Sequence, residues 1–326
     1  MNVVTHPSIL PHDNALSRKV RIQKPYSRFL MCRVGEEEAG LEVVSFLMRR
    51  FPFRSAEEWE ERLGAGRVTQ GGSTLRPGDR LLPEPPLQFA NPEQHEPSVP
   101  DEVAILESTP DYLLVYKPAP MPVHPGGRYN RNTLVFILRE SGQAEPGPLQ
   151  VIHRLDSVTS GLILFGCNPS FTTEIQRAFE HGHVEKTYLA LVYGCPGETQ
   201  ATIDIPIRRK HGYVFECHGE GKPSQTEFRV LRKLDGYSLV RCRPRTGRTH
   251  QIRLHLREWG HPVIDDPVYG SGTSGKPDAA VQNRGISLLH FQLHLPAAGL
   301  DFRLSDHPIA PDLAAFGVSD GDFLLD

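Results

Sequence analysis

The sequence predicts a strand-rich α+β protein in two parts, and three observations carry the prediction. From Val103 onward, short apolar strands alternate with helical stretches, and no unit repeats. One of those strands, GLILFG (161–166), has no polar face, so it belongs inside a sheet. Seven prolines between Pro83 and Pro110 set this region apart from a compact segment before it, because proline resists both helix and central strand. At 326 residues, with 38% hydrophobic and 23% charged side chains, the chain can bury two cores.

Residues 1–35 show little periodicity and read as an extension. In a small domain at 36–86, Leu41, Val44, Phe46 and Leu47 share one face of a short helix. Ser55 and Glu58 form a capping box, each side chain satisfying the other's free backbone N–H. Trp59 and Leu63 then face inward, and Gly64 and Gly66 end the helix. A strand begins near Val68, with turns at Gly71-Gly72 and at RPGD (76–79). Residues 87–102 are expected to be an extended linker, and 103–326 form the larger domain. There DYLLVY (111–116) is a strand, broken by Lys117-Pro118 and a turn-rich loop through His124-Pro125-Gly126-Gly127. Ser170 is expected to cap a helix carrying Phe171, Ile175 and Phe179 on one face and stopped at Gly182. KTYLALVY (186–193) is the next strand.

Several function classes drop out. No apolar run approaches the roughly 18–20 residues of a membrane helix, and the first 22 residues hold no apolar block with a cleavage site. Cys32, Cys167, Cys195, Cys217 and Cys242 are odd in number, scattered and without a C-x-x-C pair, so they read as reduced thiols. The expectation is a soluble, cytoplasmic protein. Phosphate-loop, dinucleotide-fold, H-E-x-x-H and G-x-S-x-G signatures are missing. His290 and His294 have metal-pair spacing, but they alternate along a strand without a third ligand, which favours packing histidines.

Charge is unevenly placed. The chain carries a net charge of −3, yet residues 206–257 hold thirteen Lys/Arg against four Asp/Glu, a local +9 that leaves −12 elsewhere. A concentrated cation run suits a face for polyanions, and equally a solvated basic surface with no partner.

Three features could carry chemistry. Asp156 lies in HRLDSVTSG (153–161) just before the buried strand, where a carboxylate can be half buried, although Asp is also a common turn former. Tyr188 starts a strand, a position that usually means packing. Arg253 ends the basic segment RTGRTHQIR (245–253), suited to phosphate or to a buried carboxylate. Each is weak alone.

Together and in this order they resemble the RluA-type RNA pseudouridine synthases, over roughly residues 103–296. The resemblance is carried by VYKPAPMPVHPGG, HRLDSVTSGLILF, EKTYLALVYG, RTGRTHQIRLHL with GHPVIDDPVYG, and LLHFQLHLP. Residues 36–86 similarly resemble the small α-L RNA-binding domain of a ribosomal small-subunit protein. What this implies is the family's fold, with a mixed, largely antiparallel central sheet flanked by helices and loops. It also implies an isomerase that flips a uridine out of structured ribosomal or transfer RNA and rejoins the base through ring carbon 5. By the family's motifs, Asp156 starts the reaction, by attack on the anomeric carbon or the base or by abstraction of a sugar proton. Tyr188 stacks on the target uracil, and Arg253 pairs with Asp156. Arg154 fills the space of the flipped base, and His153, Arg248, His250 and Gln251 are expected to contact substrate. No cofactor and no metal are implied, the family suggests a monomer, and Asp265 stands where the family usually has Gly.

Two other readings are weaker. A non-catalytic RNA-binding protein of the same fold is at odds with the complete Asp156, Tyr188 and Arg253 set. A glycoside hydrolase would need a second carboxylate as general acid, where the motifs offer Tyr and Arg.

Overall fold

The computed structural model describes residues 20–101, 103–142, 149–270 and 285–307. Two compact units divide the chain: Gln23–Glu96 forms one, and the residues on either side of it form the other.

The larger unit is organised by a ten-stranded sheet. Its main path runs Gln200–Asp204, Gln225–Lys233, Tyr237–Pro244, Glu185–Tyr193, Leu288–Leu295, Ser160–Gly166, Tyr112–Lys117, Ala104–Ser108. Neighbours on this path are antiparallel except Ser160–Gly166 beside Leu288–Leu295, which are parallel. The mixed, largely antiparallel α+β sheet expected from the sequence is therefore present. Alternation along each strand decides what packs where. Leu189 and Leu191, with Leu162, Leu164 and Leu289, pack with Ile175 of the helix Pro169–Glu180. The intervening Tyr188, Ala190 and Val192, with Val240 and Cys242, pack with Ile252 and Leu256 of the helix Gln251–Glu258. Ile163 and Phe165 pack with Leu134, Ile137 and Leu138 of a third helix, Leu134–Glu140. The strand Ser160–Gly166 is buried along its whole length, as its continuous apolar sequence requires.

Asn168, and not Ser170, caps the helix Pro169–Glu180. Its side-chain oxygen accepts the N–H of Ser170, and Pro169 takes the first helical position, where no donor is needed. His290 and His294 lie on the strand Leu288–Leu295, and among the described residues no group of three or more His, Cys, Asp or Glu is placed to hold a metal.

The smaller unit is wider than the 36–86 expected. Its four-stranded sheet runs Tyr26–Cys32, Leu87–Gln94, Val68–Gln70, Ser73–Thr74, so strands come from both the supposed extension and the supposed linker. Leu87 and Phe89 point inward at period two and join the core of Val43, Phe46, Leu47, Trp59 and Leu63. Pro92 is tolerated because the pairing skips there, from Arg28 opposite Asn91 to Tyr26 opposite Gln94. The two expected helices form at Val43–Arg50 and Ala56–Gly64, the second with its Ser55–Glu58 capping box; Leu41 precedes the first, which Glu42 caps, and Gly64 is the last residue of the second. Val20–Arg21 also belongs to a strand pair, with Val99–Pro100 in the larger unit.

Gly161 marks the closest approach of backbone to backbone in the large sheet. Its φ is 117°, and a Cβ there would stand 2.3 Å from the carbonyl oxygen of His290. Gly161→Ala should lower stability by about 3 kcal/mol or more, through backbone strain and overpacking against an unyielding strand. Urea unfolding followed by circular dichroism measures this.

Candidate active site

The loop between Gln150–Val151 and Ser160–Gly166 is pinned by its backbone. Lys117 is completely buried, and its Nζ donates to the carbonyls of Pro118 at 3.0 Å, Met121 at 2.8 Å and Ser157 at 3.2 Å. Burial pushes this amine down to about 7, opposed by nearby Asp156. Three carbonyls match the three N–H bonds of an ammonium, so the charged form is the one the site is built to hold. Met121 N–H also donates to Ser157 O, Ile286 N–H to Val158 O, and Thr159 N–H to Asp156 O. His153 Nε2 accepts the N–H of Leu164 at 3.0 Å, and its ring stacks on Phe179. With the backbone fixed on both sides, the Asp156 side chain is left about one-fifth exposed.

The helix Gln251–Glu258 brings up its partner. Arg253 is 3% exposed; its Nε and Nη2 donate to Asp266 at 2.6 and 2.8 Å, and Nη1 donates to Asp156 Oδ2 at 3.2 Å. Asp266 also accepts the N–H groups of Val268 and Tyr269. Burial opposes both charges. Asp266, aided by Asp156, nonetheless holds Arg253 above its usual value, and Arg253 with the two N–H groups holds the Asp266 carboxyl below its own. A guanidinium locked by one carboxylate thus presents a single fixed donor to another. The turn carrying Asp266 needs a positive φ of 61° at Asp265, which explains how Asp, tolerant of left-handed backbone, can replace Gly there.

Tyr188 and its neighbours complete a cleft of about 870 Å³, which is lined by His153, Arg154, Asp156, Tyr188, Arg248, His250, Gln251 and Arg253 among others. All eight residues named from the sequence therefore face one space. Tyr188 stacks on His290, with ring centroids 4.5 Å apart. Burial, then the charge of Asp156, raises its phenol, so it is an uncharged aromatic wall. His290 Nδ1 lies 2.6 Å from Leu162 O, and burial drives the ring down to about 4.

The eight differ in how far their polar groups are already engaged. Gln251 spends its amide on Gln225 O, Thr226 Oγ1, Thr246 Oγ1 and the N–H of Arg248, folding the loop before the helix onto the sheet. It positions that loop, as His153 positions the Asp156 loop. Arg154 and Arg248 are exposed; Arg248 donates only Nε inward, to Pro223 O. Sequence reasoning missed Lys117, Tyr269 and His290 as site residues, and gave Asp266 no role. The only available signal was a charged residue beside proline in a strand-rich region, at Lys117-Pro118 and Asp266-Pro267.

Residues 111–258 match the sequence pattern of the RNA pseudouridylate synthase family. RNA pseudouridine synthase 7 of Arabidopsis thaliana is 33% identical over 288 residues, 82% of this chain and 72% of that protein. The chain belongs to the RNA pseudouridine synthase family. It is thus an isomerase acting on RNA. Ribosomal large subunit pseudouridine synthase D of Nitrosomonas europaea is 35% identical over 238 residues, 70% of this chain and 68% of that protein. In structure, human RNA Pseudouridylate Synthase Domain Containing 1 superposes with a TM-score of 0.52 at 30% identity, covering 63% of this synthase and 82% of that chain.

Two outcomes follow for the synthase. Asp266→Asn leaves a buried guanidinium half paired and should cost about 3 kcal/mol in urea unfolding. Buried, neutral rings also make stability pH-dependent. His153, His250 and His290 lie below the ordinary 6.5, the last two at about 4. Between those values the unfolded chain binds protons that the folded chain refuses, so stability falls as pH falls from about 6.5 towards 4. Each ring contributes up to about 1.4 kcal/mol per pH unit. Urea midpoints at pH 7 and pH 5.5 should show the drop, and His290→Gln should make it shallower.

Proposed function

We propose that Asp156 is the group that starts the isomerisation, on a uridine of ribosomal or transfer RNA flipped into the cleft. The observation that carries this is the fixed donor from Arg253, itself locked by Asp266, directed at a partly exposed carboxylate beside the Tyr188 ring. Such an arrangement orients Asp156 without further reorganisation when substrate arrives.

The reaction balances within the substrate. The bond from N1 to the anomeric carbon breaks, a bond from ring carbon 5 to that carbon forms, the proton on carbon 5 leaves, and N1 gains one. No oxidant, metal or cofactor is required. Tyr188, neutral and rigid, serves as the stacking platform for the uracil, and stacking offsets part of the few kcal/mol that flipping costs. Arg154 stands at the rim, where it can fill the gap left in the RNA, while Arg248 and other cations of the 206–257 segment neutralise phosphates. The ribosomal reading is supported by the likeness to the Nitrosomonas enzyme, which is named for the large ribosomal subunit. The smaller unit, helical and strand-bearing like an α-L domain, adds RNA affinity. The working form is a monomer in the cytoplasm.

Pseudouridines in total cellular RNA can be mapped by carbodiimide-dependent reverse-transcription stops. A site in ribosomal or transfer RNA should vanish on deletion of the gene, return with the wild-type protein and not with Asp156→Asn. On that RNA in vitro, Asp156→Asn should lower the rate by at least roughly a thousandfold, as loss of a reacting group does. An unchanged map, or full rescue by Asp156→Asn, overturns the proposal.

A further inference from the structure

A second line of polar contacts leads to Asp156, and it starts in a hairpin. Phe215, in the strand pair Ile207–His211 and Val214–Cys217, donates its backbone N–H to the Tyr269 hydroxyl oxygen at 3.0 Å. That hydroxyl lies 2.7 Å from His250 Nδ1, and His250 Nε2 lies 4.0 Å from Asp156 Oδ2. The direction of each proton can be worked out. The phenol oxygen accepts from Phe215 and keeps its own proton, since burial pushes it up to about 12; it can give that proton to Nδ1, and the Asp156 carboxylate facing Nε2 selects this direction, because an acceptor there calls for an N–H on Nε2. His250 is driven by burial to about 4 against the pull of Asp156, so its ring is neutral and carries one N–H. With an O–H donor at Nδ1, that N–H sits on Nε2. The opposite tautomer would aim a lone pair at a carboxylate.

The backbone supports a built arrangement. His250 has a φ of 58° and makes no side-chain capping bond to the helix that it precedes. A non-glycine residue there is strained and persists only where its surroundings over-determine it. Here the ring is clamped edge-on by Phe215 and Tyr269, with centroids 5.4 and 5.5 Å away. Arg253 and His250 both address the same oxygen of Asp156, Oδ2.

We propose that Tyr269 fixes His250 in its Nε2–H tautomer, making His250 a positioning residue that, with Arg253, holds Asp156 by Oδ2 and presents Oδ1 to the substrate. The proposal rests on Asp156 being the reacting group. At 4.0 Å the histidine guides the carboxylate through its field, and the contact shortens to a hydrogen bond when the flipped nucleotide excludes water.

The test uses the full-length protein labelled with 15N-histidine. Nitrogen spectra distinguish protonated from unprotonated ring nitrogens, and His250 is assigned by the signals lost in His250→Asn. The wild type should show Nε2–H, and Tyr269→Phe should shift His250 toward the other tautomer. In single-turnover reactions on the mapped RNA, Tyr269→Phe should lose about tenfold in rate with unchanged RNA affinity, the worth of one hydrogen bond. Should Tyr269→Phe fold poorly, His250→Asn and His250→Gly both tolerate the positive φ and differ in the donor. His250→Asn should then react about tenfold faster than His250→Gly. An Nδ1–H wild type, a Tyr269→Phe at full rate, a loss confined to RNA affinity, or equal rates for His250→Asn and His250→Gly would each overturn the proposal. Activity retained in Asp156→Asn would instead bring down the reading on which it rests.

Discussion

The site depends on one guanidinium held between two carboxylates. Arg253 is almost fully buried, and a lone cation there would be expensive. Asp266 makes it tolerable by a two-point contact reinforced by two backbone N–H groups, and the same contact removes the side chain's freedom. Of the three N–H bonds that remain, one on Nη1 points at Asp156. Orientation at the Asp156 carboxylate is thus set in advance by the ion pair behind it.

A second constraint acts on the other half of the pair. Asp156 sits in a loop rather than on a strand, and loops are normally the mobile part of a protein. Lys117 counters this by gathering three carbonyls around one buried amine, including that of the residue after Asp156. His153 does the same from the other side by capping a backbone N–H of the strand that follows. Both devices act on the backbone and leave the carboxylate to be oriented by Arg253.

How much of this could be read from the chain depends on the kind of interaction. That Asp156, Tyr188 and Arg253 share one cleft was legible because each lies in a run of residues whose order is itself informative. The buried strand at 161–166 and the Ser55–Glu58 cap were legible because local rules govern them. Asp266 was not, since its meaning comes from a partner thirteen positions away on a helix, and an Asp before Pro reads equally well as a turn. Lys117 beside Pro118 looked like the end of a strand, and only burial turns it into a clasp. The strand at Leu87–Gln94 was hidden by its prolines, although Leu87 and Phe89 alternate as a strand should; the bulge at Pro92 reconciles the two.

The close approach at Gly161 has a meaning in time as well as in space. The strand before which Asp156 sits is completed on one side by Leu288–Leu295, joined to it in parallel register more than a hundred residues later. Parallel neighbours so far apart in sequence are slow to find each other. During synthesis the Asp156 loop therefore leaves the ribosome well before the strand that completes the sheet beside it. The cleft around Asp156 is thus completed late, with the closing of the sheet, and a partly made chain carries the motif without its surroundings.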